Sequence, residues 1–189
     1  HFYDIVAHNL DLAKKSDSSS TWVLSNHDVV RHPTRYGLPV VGGNEDGRPA
    51  ERQGGAWLHS GGVEPELDRA RGLRRARAAT LFMLGLPGSS YLYQGEELGL
   101  HEVVEIPPEQ RQDPRFINTD GEDVGRDGCR VPLPWTAEGT SLGFGSNGAH
   151  LPQPDWFADY AADVQQGVHG TTLSMYQKAL ATRKRLQAD

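Results

Sequence analysis

One cysteine, Cys129, stands in the 189 residues. That scarcity excludes an internal disulfide framework and a thiolate zinc cluster, and makes a reducing compartment the default. Long apolar runs are missing too. None approaches the roughly 18 consecutive residues of a membrane-spanning helix, and the opening "HFYDIVAHNL" has neither the basic nor the apolar region of a secretory signal. Positive charge is in deficit, with a formal net charge of −6, which argues against a nucleic-acid surface. Lysine is rare, 4 against 15 arginines. The one basic cluster, "RARGLRRARAATLF" from Arg69 to Phe82, has helical spacing and reads as a solvated helix face. What remains, 37% hydrophobic and 23% charged, is the composition of an ordinary globular chain. The start at His1 rather than Met leads us to expect a segment cut from something longer.

Helical steps of three or four connect Phe2, Val6, Leu10 and Ala13, predicting a helix over residues 2–15. "TWVLS" (Thr21–Ser25) then has the β-branched and aromatic content of a short strand buried on both faces, as in a parallel sheet. Residues 35–65 are rich in Gly, Pro and charge and read as a long excursion without a period of its own. A second helix is expected from about Pro65 to Leu84, stopped by Gly85-Leu86-Pro87-Gly88, and a second strand over "SYLYQG" (Ser90–Gly95). Residues 102–153 form another irregular stretch, and a last helix is predicted over Leu173–Leu186.

This alternation is the pattern of βα units around a parallel sheet, a fold of the α/β class. In such folds the loops after the strands carry the active site. Both long excursions here follow strands, whereas the returns from helix to strand are short.

The first strand runs straight into Ser25, Asn26, His27 and Asp28. A turn needs no imidazole beside a carboxylate, although one His and one Asp can equally cap a turn. After the second strand come "GLPGSSYLYQGEELGL" and "VGRDGCRVPLPW" (Val124–Trp135), so two successive strand ends carry unusual chemistry.

Taken together, "TWVLSNHDVVRHPTRYG", "GLPGSSYLYQGEELGL" and "GRDGCRVPLPW" resemble the C-terminal part of the catalytic barrel of the α-amylase superfamily, glycoside hydrolase family 13. The α-glucosidase and oligo-1,6-glucosidase branch is the most similar. The resemblance implies a fragment of a (β/α)8 TIM barrel, about its last two βα units (β7-α7-β8-α8). All of residues 1–189 would then be a partial catalytic domain, without the N-terminal part of the barrel or a C-terminal β domain.

It also implies roles. Asp28 matches the carboxylate that stabilises the transition state, and His27 the histidine that hydrogen-bonds sugar hydroxyls. Arg126 matches the arginine that holds the non-reducing-end glucose, with Arg130 as a competing candidate. Asn26 is expected to orient the turn. The chemistry suits these residue types, because glycoside cleavage develops positive charge on the sugar ring and strengthens hydrogen bonds to its 2-OH.

A retaining glycosidase also needs a nucleophile and an acid/base carboxylate roughly 5 Å apart. The family carries these on earlier strands, and no motif here matches them. Glu96 and Glu97 fall in a structural "YQGEE" segment. The expected parent is therefore a retaining α-glucosidase acting on small α-gluco-oligosaccharides, the isolated chain being inactive. The alternatives are a transglycosylase or isomerase of trehalose or isomaltulose synthase type, and a silent barrel scaffold.

Apart from substrate, the remainder of the barrel is the expected partner, with no nucleic acid and no membrane, and a cytoplasmic location is expected from short-oligosaccharide use. No cofactor and no metal are expected: His8, His32 and His59 lack ligand spacing, and the acids of Asn118–Gly128 make a poor calcium loop. Trp22 is expected in the core, and Trp135 and Trp156 are the candidate platforms for sugar rings.

Overall fold

The computed structural model describes residues 2–39 and 49–187. Helix α1 (Phe2–Lys15) leads through a turn into strand β1 (Thr21–Val23). Helices α2 (His32–Gly37), α3 (Pro49–His59) and α4 (Arg69–Leu84) follow, then strand β2 (Ser89–Tyr91). A long segment with the short helices α5 (Pro114–Asn118) and α6 (Ala162–Gln165) leads to the final helix α7 (Thr172–Leu186). The two strands pair in parallel, Trp22 opposite Ser90, so the expected βα alternation is present.

Several boundaries move. Strand β1 is shorter than expected and is not covered on both faces: Thr21 and Val23 are exposed, and Trp22 is half-buried, its Nε1 donating to the Pro87 carbonyl at 2.7 Å. Helix α4 begins at Arg69, because the Asp68 side chain accepts from the Arg71 amide and caps it there. The excursion over 35–65 holds α3 and receives the end of α2; its middle, 40–48, lies outside the described residues. Two adjacent glycines, Gly54 and Gly55, hide α3 from a propensity reading, since each costs a helix about 1 kcal/mol. Gly54 is there for space: a Cβ on it would lie 3.0 Å from that of Val30.

The arginines of α4 are not a plain solvated face. Arg71 donates to the Gly37 carbonyl, Arg75 to that of Tyr36 and Arg77 to that of Gly170, and Arg69 lies over the Trp156 ring. They latch α4 to its neighbours, as the planar, multiply donating guanidinium permits.

The largest apolar cluster sits in the segment read as irregular. Val103, Val131 and Leu151 of that segment are buried with Leu98, Leu100 and Phe157 from its two flanks, held by 3₁₀ turns and local backbone bonds rather than by a periodic element. Trp156 packs against this cluster beside Phe157 and Tyr160.

Helices α2 and α4 cross through glycine. A Cβ on Gly72 would lie 2.1 Å from the Pro33 carbonyl oxygen and 2.9 Å from Gly37 Cα, a separation no side chain can relieve. Gly72→Ala in the full-length protein is expected to cost about 3 kcal/mol in urea unfolding, the upper range for overpacking. An unchanged midpoint would mean that the helices separate freely.

Candidate active site

Four residues carry the chain from β1 into the site. Ser25 is buried, and its Oγ accepts from the His32 amide at 3.0 Å and pairs with His32 Nδ1 at 2.8 Å. Asn26 Oδ1 accepts from the Asp28 amide at 2.8 Å, an Asx turn. The polar run therefore folds the loop back with two side chains and leaves His27 and Asp28 exposed.

The structure brings Asp28, His27, Arg126 and Arg130 together. Asp28 Oδ1 accepts from Arg126 Nη1 at 2.6 Å and from Arg130 Nη2 at 3.4 Å, and its Oδ2 lies 3.4 Å from His27 Nε2. Arg130 Nε also donates to the His27 carbonyl at 2.9 Å. Both arginines thus reach Asp28, Arg126 more closely. The group opens onto a cleft of about 220 Å³ lined by Asp28, Val30, Leu58, His59, Arg115 and Arg126.

Asp113 was missed by the sequence reading. Its buried carboxylate receives Arg126 Nε at 2.7 Å, Nη2 at 3.0 Å and the Arg126 amide at 2.7 Å, and it caps α5 through the Arg115 amide. These charge-assisted bonds from Arg126 hold the Asp113 carboxyl well below the usual range and the guanidinium above its own. The Asp-Pro step before α5 signals a helix start, but nothing in it announces a partner 13 residues away.

Glu96 is buried and accepts from Tyr176 Oη at 3.2 Å, Glu97 accepts from the Gly95 amide at 2.8 Å, and neither lines the cleft. Trp156 is occupied by core and Arg69 contacts, which corrects its reading as a sugar platform, and exposed Trp135 does not line the cleft either. Among the described residues no three His, Cys, Asp or Glu side chains are grouped as metal ligands, and no helix is long and apolar enough to cross a membrane. Asp123 and Asp127 accept backbone amides of Gly125 and of Gln112 and Asp113.

Burial behind the site shifts two histidines and two glutamates in opposite directions. His32 and His101 are pushed down to about 3, by desolvation first and then by nearby guanidinium charge. Glu96 and Glu102 are pushed up to about 7, again mainly by desolvation. His32 Nδ1 lies 3.8 Å from Glu96 Oε1, and burial of both favours the neutral pair, imidazole beside carboxylic acid.

Their effects on stability have opposite signs. Between about 3 and 6.5 the unfolded chain binds more protons at the histidines, so stability rises with pH. Between about 4.5 and 7 the folded chain binds more at the glutamates, so stability falls as pH rises. The thermal midpoint of the full-length protein is expected to be nearly flat from about pH 4.5 to 6.5 and to drop below 4.5, where the histidine effect is unopposed and, below 3.8, the stabilisation from the Asp113 pair also begins to fade. A steady climb from pH 4.5 to 6.5 would show that the glutamates titrate normally.

Residues 66–188 match the family model for the α-amylase catalytic domain. The chain belongs to the α-amylase family. A probable α-glucosidase of Rhizobium meliloti (strain 1021) is 32% identical to this α-amylase family chain over 163 residues, 86% of the chain and 24% of the relative. Maltase A1 of Drosophila melanogaster is 28% identical over 168 residues, 87% of the chain and 23% of the relative. Among solved structures, the α-glucosyl transfer enzyme XgtA is 33% identical with a TM-score of 0.64, over 95% of this chain and 28% of that one. The trehalose-6-phosphate hydrolase of Bacillus licheniformis has the same TM-score at 21% identity, over 96% of this chain and 30% of that one, and shares the fold. The chain spans about a quarter of the length of its curated relatives. With two parallel strands among its described residues, it holds part of the family's TIM barrel.

Proposed function

We propose that the full-length protein is a retaining α-glucosidase that removes terminal α-linked glucose from short oligosaccharides, and that Asp28, His27 and Arg126 serve its glucose-binding subsite. The observation that carries this reading is the Asp28 carboxylate, held at the mouth of a cleft by Arg126 at 2.6 Å with His27 beside it. A carboxylate fixed before substrate arrives needs no reorganisation when positive charge develops on the sugar ring. His27 and the arginines supply donors for the ring hydroxyls. The relatives named α-glucosidase and maltase support the same substrate class.

The nucleophile and the acid/base belong, in this reading, to barrel strands outside residues 1–189, which would be the β7-α7-β8-α8 portion of the catalytic domain. An apolar trough of about 780 Å³ supports it: Phe2, Val6, Trp22, Val23, Phe82 and Met83 line a face beside β1, and the rest of the barrel would cover it. Short oligosaccharides cleaved after uptake would suit a cytoplasmic enzyme.

Glucosyl transfer is a second reading, favoured by the likeness to XgtA; the same residues would then hold the glucosyl unit while an acceptor sugar replaces water. Both readings are tested by incubating the full-length protein with maltose, isomaltose and sucrose and following products by proton NMR. Glucose released first as the α-anomer is the expected result. Transfer frees the donor's leaving sugar as well, so new glucosidic linkages formed alongside it, with fructose released from sucrose in excess of glucose, would favour transfer, and no turnover of any of the three would overturn both. Residues 1–189 alone are expected to release no glucose.

A further inference from the structure

Three residues beyond Asp28, Arg31 points away from the cleft. It is 1% exposed, an unusual place for a guanidinium. Its Nη1 donates to the Gln94 carbonyl at 2.7 Å, just after β2, and its Nη2 to the Cys129 carbonyl at 2.8 Å, in the loop that bears Arg126 and Arg130. The Arg31 amide donates to Glu102 Oε2 at 2.8 Å. Tyr93 completes the arrangement: its ring lies under the guanidinium, 5.3 Å from centroid to Cζ, and its Oη donates to the same Cys129 carbonyl at 3.0 Å.

The surroundings leave the side chain little freedom. A Cβ on Gly95, whose φ is +88°, would lie 2.8 Å from Arg31 Nη1, and one on Gly128 would lie 2.2 Å from the Val103 carbonyl oxygen and 2.6 Å from Glu102 Oε1. Two glycines thus let backbone and buried charge close around one point. That point joins the loop after β1, the loop after β2 and the loop of the two arginines.

We propose that Arg31 is a positioning residue for the sugar-binding site, setting the separation between Asp28 and the Arg126–Arg130 loop through its paired bonds to Gln94 and Cys129. The proposal rests on the α-glucosidase reading above. Arg31 touches no substrate. Its planar fork bonds two carbonyls from different loops at fixed geometry, which a lysine ammonium on a flexible stem does not reproduce. A shift of about 1 Å in such a site costs about a hundredfold in rate.

The test is Arg31→Lys in the full-length enzyme, assayed on maltose. We expect kcat to fall about a hundredfold with KM within about threefold and a folded protein by circular dichroism. Wild-type kcat in the folded variant would overturn the proposal. Should Arg31→Lys not fold, Tyr93→Phe removes one of the two donors to the Cys129 carbonyl: a severalfold loss of kcat at an unchanged thermal midpoint supports positioning, and an unchanged kcat overturns it. If the wild type cleaves no α-glucoside, the α-glucosidase reading fails by itself. Positioning is then judged from crystal structures of wild type and Arg31→Lys, where an open Arg126–Asp28 contact supports it and a retained contact overturns it.

Discussion

Asp28→Asn in the full-length protein is expected to lower kcat on maltose by about a thousandfold or more, with folding unchanged. The substitution keeps size and shape and removes only the charge. In the ground state that charge faces Arg126 and Arg130 in a group whose carboxylate is 46% exposed, and exposed ion pairs contribute at most about 1 kcal/mol to stability. In the proposed reaction it would face an oxocarbenium-like ring at close range, where a preformed charge is worth several kcal/mol. Stability and rate should therefore separate. Urea unfolding and steady-state kinetics on the same preparation check this. A variant retaining a tenth of wild-type kcat would remove Asp28 from the reaction.

Asp113→Ala should show the opposite balance, with a large loss of stability. The carboxylate is fully buried and serves four donors: the Arg126 guanidinium through two nitrogens, the Arg126 amide and the Arg115 amide. Truncation leaves a guanidinium that is mostly buried without its closest counter-charge and uncaps α5. Removing one partner of such a pair costs about 3–5 kcal/mol. Arg126 would then be held only by Asp28, so KM for glucosides should rise along with the loss of stability. Asp113→Asn, which keeps the shape but can accept at only one oxygen, should fall between. A wild-type unfolding midpoint for Asp113→Ala would mean that Arg126 is held from elsewhere.

How much of this was legible in the sequence depended on the range of the interaction concerned. The Asn-His-Asp turn is local, so Asn26 orienting Asp28 across two residues could be anticipated. The parallel pairing of β1 and β2 followed from alternation, and the junction of Asp28 with Arg126, 98 residues apart, rested on motif resemblance. Asp113 and Arg31 escaped because their partners lie 13 to 98 residues away and a charged side chain ordinarily reads as solvated. Helix α3 escaped because of Gly54 and Gly55, of which Gly54 is there to approach Val30, a gain that propensity counts only as a cost. The apolar cluster of Leu98 to Phe157 escaped because turns have no period.

The crossing of α2 and α4 bears on how this scaffold can change its preferences. Carbonyl and glycine meet there with no room for a methyl group, and α2 begins four residues after Asp28. At that crossing there is no side chain to trim or enlarge. The cleft wall is different: Leu58, His59 and Arg115 come from α3 and α5 and face open space. Within residues 1–189, changes of linkage or acceptor selectivity are therefore expected in that wall, while a change at the crossing such as Gly72→Ala is expected to cost stability.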